Sequence, residues 1–264
     1  MARKTQFVEQ GFLSAVTLPN FEGGRYTVVS HDEAIKNMKN TFSKFGYHVR
    51  NEVYKSAEGG NIATGSFTLN HGDSEMGLMV AFINSYNKKT SFKYAMGASV
   101  FVCDNGMIAG DKFNYKRKHM GDVDVEAFLT FDKEMEKAVD EFKELVDLRE
   151  NLKKVDVSHI EMAELCGRMF ITQDILNPRQ MSDLKAEINK PTYDYGGNNN
   201  TAWEFYNHLT HVAKRAHPTD YFKHHRDITD FITSEFEDRF IRQSIEDINF
   251  EMMEDSFENH LIYS

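Results

Sequence analysis

Only two cysteines, Cys103 and Cys166, occur in 264 residues, too few for a disulfide framework. One falls in an apolar strand-like run and the other on an apolar helical stripe. Both are expected to be buried free thiols, packed as small hydrophobes. Four prolines and 16 glycines leave no room for a long low-complexity linker. No run approaches the ~18 apolar residues that a membrane span requires. The basic start, Arg3-Lys4, has no apolar stretch behind it, so no signal peptide is expected. These absences predict a cytoplasmic protein with no membrane contact. The chain also lacks a Gly-x-Ser-x-Gly elbow, a Walker loop and a glycine-rich dinucleotide turn. No catalytic residue is therefore nominated, and no cofactor is implied.

What remains is an ordinary globular composition, 41% hydrophobic and 27% charged, with enough Phe and Tyr to fill a core. The net charge of −10 is unevenly spread. Residues 1–121 carry 15 basic and 10 acidic side chains, a balance of +5. Residues 122–264 carry the other 16 basic and 31 acidic ones, a balance of −15. Helices richer in Glu and Asp than strands would produce this. So would a binding half joined to a solvating or self-associating half.

The patterning predicts an α+β fold: an N-terminal antiparallel meander sheet with one packed helix over 1–121, then an all-helical half over 122–264, together one cooperative unit. Ser30 is placed to cap a helix that carries Ala34, Ile35, Met38, Phe42 and Phe45 on one face and ends at Gly46. Strand-like runs follow, separated by turns at Gly59-Gly60 and at 70–73. The centre of the sheet is expected in residues 76–110, where two apolar runs flank the polar connection 84–91. Asp104-Asn105-Gly106 reads as a tight hairpin turn, with a last strand from Met107 to Tyr115. From Asp122 the period becomes helical. Phe128, Phe131, Met135, Ala138, Phe142, Leu145 and Leu152 form one stripe, interrupted by Arg149. It fits a helix laid across the sheet or an oligomer seam. Further helices are expected over 158–171, 177–189 and 201–217, with another segment from Pro218 through Phe236.

Three chemistries can be weighed. Glu204, His208 and His211 share one helical face, a geometry that could ligate a metal with help from His217, His224 or His225. They are weak candidates, because a solvated or capping role explains them as well. Cys103 as a nucleophile would need a neighbouring His and an electropositive setting, which its apolar run does not offer. The third constellation is basic and polar. Asn84, Ser85, Lys88 and Lys89 lie in one inter-strand connection, and Tyr115, Lys116, Arg117 and Lys118 end the last strand. A meander would bring both to one end of the sheet. Lys and Arg contact phosphates and aromatic rings stack bases, so these residues would bind single-stranded DNA or RNA. The competing explanation is a soluble hairpin end guarded by lysines against edge-to-edge aggregation.

Two motifs carry a family resemblance. Asn84-Ser85, followed by Lys89-Thr90-Ser91, Gly97, Val102-Cys103-Asp104-Asn105-Gly106-Met107 and Gly110, resembles the signature of the phage and plasmid family catalogued as domain of unknown function 932. Trp203-x-x-Tyr206-Asn207-x-x-Thr210 is similar to that family's C-terminal helix. The likeness covers roughly residues 25–235. Where the family carries His-Asp, this chain has Tyr86-Asn87, and Lys88-Lys89 replaces the Gly that follows, so any acid–base or metal role of that His and Asp is lost. The resemblance implies a phage- or plasmid-encoded accessory protein of phage DNA metabolism, in the host cytoplasm, and supplies no reaction. The first expectation is a non-enzymatic single-stranded nucleic-acid binder that forms a homo-oligomer through its oppositely charged halves. The alternatives are a module that binds a host protein and a metal-dependent hydrolase or nuclease.

Overall fold

A computed structural model of the chain describes residues 5–21, 26–101, 105–107, 114–120, 122–195, 200–214, 220 and 223–242. The expected α+β order is present. Strand β1 (Gln6–Val8) and helix α1 (Gln10–Ser14) lead to α2 (His31–Lys44). The sheet continues through β2 (Val49–Ala57), β3 (Ile62–Gly72), β4 (Met76–Ser85), β5 (Phe92–Val100), β6 (Asn105–Met107) and β7 (Asn114–Arg117). Helices α3 (Val123–Lys154), α4 (His159–Gly167), α5 (Pro178–Asn189) and α6 (Ala202–Ala213) follow, then α7 (residues 223–242). Among the described residues, no helix is long and apolar enough to cross a membrane.

Local chemistry sets several boundaries. The Ser30 hydroxyl accepts the Glu33 N–H at the start of α2, and Gly46 adopts φ +77° just past its end. At α5, Asn177 and Gln180 form a reciprocal capping box, and Pro178 takes the first helical position. Helix α4 runs into a single π turn, Arg168–Thr172. Cys166 is buried as expected, and its burial pushes the thiol up to about 11.

The strands pair antiparallel in the order β1-β2-β3-β4-β5-β6, with β7 also beside β5. Their register gives the sheet two distinct faces. On one, Tyr54, Gly65, Phe82, Tyr94 and Tyr115 stand in a row. Phe42 of α2 meets Phe67 edge-on on this face, and Phe131 of α3 meets Tyr94 at 5.0 Å. On the other face the row is Lys55, Thr64, Ile83, Lys93, Lys116. Gly65 is required by its neighbours, because a Cβ there would overlap the Phe82 ring and lie 3.0 Å from Tyr54. Gly65→Ala should cost about 1–3 kcal/mol through overpacking. The check is urea denaturation, with the midpoint lowered and the slope unchanged.

One expectation needs correction. Asn105 and Gly106 are not the hairpin turn: they sit in β6, opposite Val100 and Ser99. β6 and β7 pair with opposite ends of β5. The expected strand from Met107 to Tyr115 runs through residues 108–113, which lie outside the described residues. Cys103 lies outside the described residues. The helical stripe resolves in favour of packing within the chain, since Phe131, Met135, Ala138, Leu145 and Leu152 are all buried in the core shared with the sheet. Arg149, the interruption, is also buried and reaches Asp73 at 2.7 Å and Glu150 at 2.7 Å. It fastens α3 to the β3–β4 turn.

Candidate functional site

The pairing Phe92↔Arg117 places the β4–β5 connection and the end of β7 at the same end of the sheet. The meander therefore brings the two basic segments together. Their side chains do unlike things. Asn84 and Ser85 are fully buried in β4, which removes them from the expected contact surface. The Asn84 amide donates to the Val29 carbonyl at 2.7 Å and to His31 Nδ1 at 2.9 Å. His31 Nε2 donates to the Gly60 carbonyl at 2.9 Å, which fixes the tautomer and leaves Nδ1 as the acceptor for Asn84. Tyr86 stacks on His31 at 3.8 Å and accepts the His31 backbone N–H through its hydroxyl. Ser85 Oγ donates to the Thr90 carbonyl and closes the connection. These polar residues fasten the sheet end from within.

The exposed part of the rim is cationic. Lys89 pairs with Glu58 at 2.6 Å, and Arg117 pairs with Glu126 of α3. Tyr115 faces inward, stacked on Tyr94 at 5.0 Å. Lys116 and Lys118 are exposed. Lys88 adopts φ +61°, in the left-handed region that glycine enters freely and other residues at a cost of about 1 kcal/mol. Its ammonium stands 4.1 Å from the Phe21 ring and 5.2 Å from the Tyr26 ring.

Two residues that sequence reasoning passed over extend this charge. Lys93 lies directly opposite Lys116, and Lys55 continues the same row. Burial lowers the Lys93 ammonium below its ordinary value. Lys116 and Arg226 add repulsion, and Asp220 opposes it. Like charges directly opposite across a sheet are destabilising. The signal in the sequence was a lone lysine between Phe92 and Tyr94. Lys55 donates to the Lys214 carbonyl at the end of α6 (3.3 Å), so the row runs from a covered end to the exposed Lys116.

A second cluster lies on α6. His208 Nε2 is 3.7 Å from Glu204, and its Nδ1 is 3.8 Å from Glu187 of α5. His211 is 3.8 Å from the same Glu187. Burial works to raise the Glu187 carboxyl. Hydrogen bonds from the Thr192 hydroxyl and N–H, the neighbouring His211 and the Tyr195 hydroxyl outweigh it and hold the group below the usual carboxylate range. Burial and nearby Asp194 raise Glu204 instead. His208 is kept neutral, its burial lowering it to about 4. Among the described residues, no three His, Cys, Asp or Glu side chains converge closely enough to hold a metal. The expected helical face exists, and Glu187, from another helix, stands near both histidines. Of the other histidines offered as ligands, His217 lies outside the described residues. His225 is fully buried, and His224 bonds to Gln180 at 3.0 Å.

The motif on α6 is a packing specification. Trp203, Tyr206, Asn207 and Thr210 are all buried. Asn207 donates to the Trp203 carbonyl, Thr210 to the Tyr206 carbonyl, and the Tyr206 hydroxyl meets Thr229 of α7 at 3.0 Å. No curated protein and no solved structure matches the chain. A family model does, over residues 20–232, a span that includes both the buried Asn84-Ser85 tie and the α6 helix. The chain belongs to the family described as domain of unknown function (DUF932).

Proposed function

We propose that the protein binds single-stranded nucleic acid along the lysine row and its exposed end, as an accessory factor of phage or plasmid DNA metabolism in the cytoplasm of the host cell. The observation that carries this reading is the pair Lys93 of β5 and Lys116 of β7, directly opposite each other, where Arg226 adds repulsion that Asp220 opposes. Like charges set opposite one another favour an added anion, and a phosphate backbone is an anion with repeating charge. Lys88 supports the reading: it keeps a strained backbone and holds its charge at the same end of the sheet, beside two aromatic rings. Arg117 is left out, since Glu126 already neutralises it. Asn84 and Ser85 hold the rim from below.

The test is fluorescence polarisation with a labelled oligothymidylate. Binding should weaken linearly in log–log form with salt, with a slope of roughly −0.7 for each phosphate contact on a single strand. Lys93→Ala with Lys116→Ala should reduce that slope by about 1.4 and leave the circular dichroism spectrum unchanged. Absence of binding at low salt, or an identical slope in the double variant, sinks the proposal. The elution volume of the same samples reports whether the +5 and −15 halves drive self-association.

A further inference from the structure

A cavity of about 750 Å³ opens between the start of α4, the end of α5 and the start of α6. That volume lies within the range of small-molecule sites. Its polar lining includes Asp156, Ser158, His159, Asn189, Glu204 and His208.

Glu204 is the unusual member. It stands three residues after the N-cap Thr201, the position from which a capping-box carboxylate reaches back to the N-cap N–H. The Thr201 side chain does accept the Glu204 N–H. The reciprocal bond, which Gln180 makes in α5, is not made here. Glu204 is 7% exposed, and its Oε2 has no hydrogen-bond partner among the described residues. Its other oxygen is 3.7 Å from the neutral His208 ring, beyond a hydrogen bond. Burial and Asp194 both act against its charge, with only His159 in its favour. Among the described residues, this buried carboxyl lacks a donor for one oxygen, and it lines a cavity that also holds Asp156 and His159. A ligand carrying a cation and a donor would satisfy it. The separation of the acidic and histidine side chains argues against a bare metal ion.

We propose that this cavity binds a small organic cation with N–H donors, of the guanidinium or primary-ammonium type, with Glu204 as its anionic contact. The proposal is independent of the lysine row, which lies on the sheet.

Trp203, the only tryptophan, precedes Glu204 and provides a fluorescence signal beside calorimetry. The full chain is titrated at pH 8 with butylguanidinium, butylammonium and neutral butylurea. The expected result is saturable binding of one or both cations and none of butylurea, the two cations reporting which head group is preferred. Affinity should fall as the pH is lowered and Glu204 takes up a proton. Glu204→Gln should lose about tenfold or more in affinity and keep oligothymidylate binding. Should Glu204→Gln fail to fold, the comparison of cation with butylurea on the unaltered chain decides alone. The proposal is overturned if neither cation binds saturably, if butylurea binds equally well, if Glu204→Gln binds as tightly, or if zinc displaces the cations at stoichiometric concentration.

Discussion

Between pH 6.5 and pH 4 the protein should lose most of its stability. Of the four buried histidines among the described residues, three set this window, and His119, also lowered by burial, acts in the same direction. His31 and His208 are lowered to about 4, and His225 to about 3, in each case chiefly by burial. The unfolded chain binds protons at these rings near pH 6.5, whereas the folded chain does not until well below pH 5. The unfolded state thus holds more protons throughout the window, and stability falls as pH falls. With three rings acting together the slope approaches ~4 kcal/mol per pH unit. Stability of a domain is about 5–15 kcal/mol, so two units of such a slope are decisive. Asp32, Asp132 and Glu187, held below their ordinary values, act in the same direction at lower pH. Glu204, raised, acts in the opposite direction as a single group. Urea midpoints at pH 7, 6 and 5, followed by circular dichroism, make the measurement. A midpoint unchanged across that range would show that these rings are charged or solvated in the folded state.

The fold was legible where side chains declare one face. Helix α2 could be read from Ser30 to Gly46 because its apolar positions repeat at helical spacing against a sheet. The stripe on α3 could be read for the same reason. The central strands were legible as strands but not as faces. Every residue of β4, and all but Lys93 of β5, is buried, because elements cover both sides and no alternation survives. That loss of alternation hid the lysine row. Lys55, Lys93 and Lys116 are 61 residues apart at the extremes, and only the register aligns them.

The site was legible in its composition and misleading in its exposure. Polar residues after an apolar run read as a loop, so Asn84 and Ser85 were assigned to the surface. They are instead the last residues of a buried strand, made affordable by bonds to Val29, His31 and Thr90 that no local pattern announces. Glu187 gave no signal, since its partnership with His208 and His211 arises from the packing of α5 on α6. Lys88 gave no sign of its left-handed backbone, φ +61°, which the turn of the connection imposes.

Asn84→Ala is expected to be the most damaging single substitution at the sheet end. The amide serves two buried acceptors at once, the Val29 carbonyl and His31 Nδ1, and both lose their donor. Each orphaned group costs about 1–3 kcal/mol, so roughly 2–6 kcal/mol should go. The loss is not confined to one strand. Val29 and His31 lie in the segment that enters α2, and His31 also holds Gly60, so the tie joins α2, the β2–β3 turn and β4. Its failure should free the connection that carries Lys88 and Lys89. Differential scanning calorimetry gives the stability, and amide hydrogen exchange over residues 26–31 and 84–91 locates it. A variant that melts like the unaltered chain, with exchange unchanged in those segments, would show that the amide is dispensable. A variant that is destabilised and exchanges faster there, yet still binds oligothymidylate with the same salt slope, would separate the two roles. The buried motif would then specify the rim's structure, and the lysines above it would carry the binding.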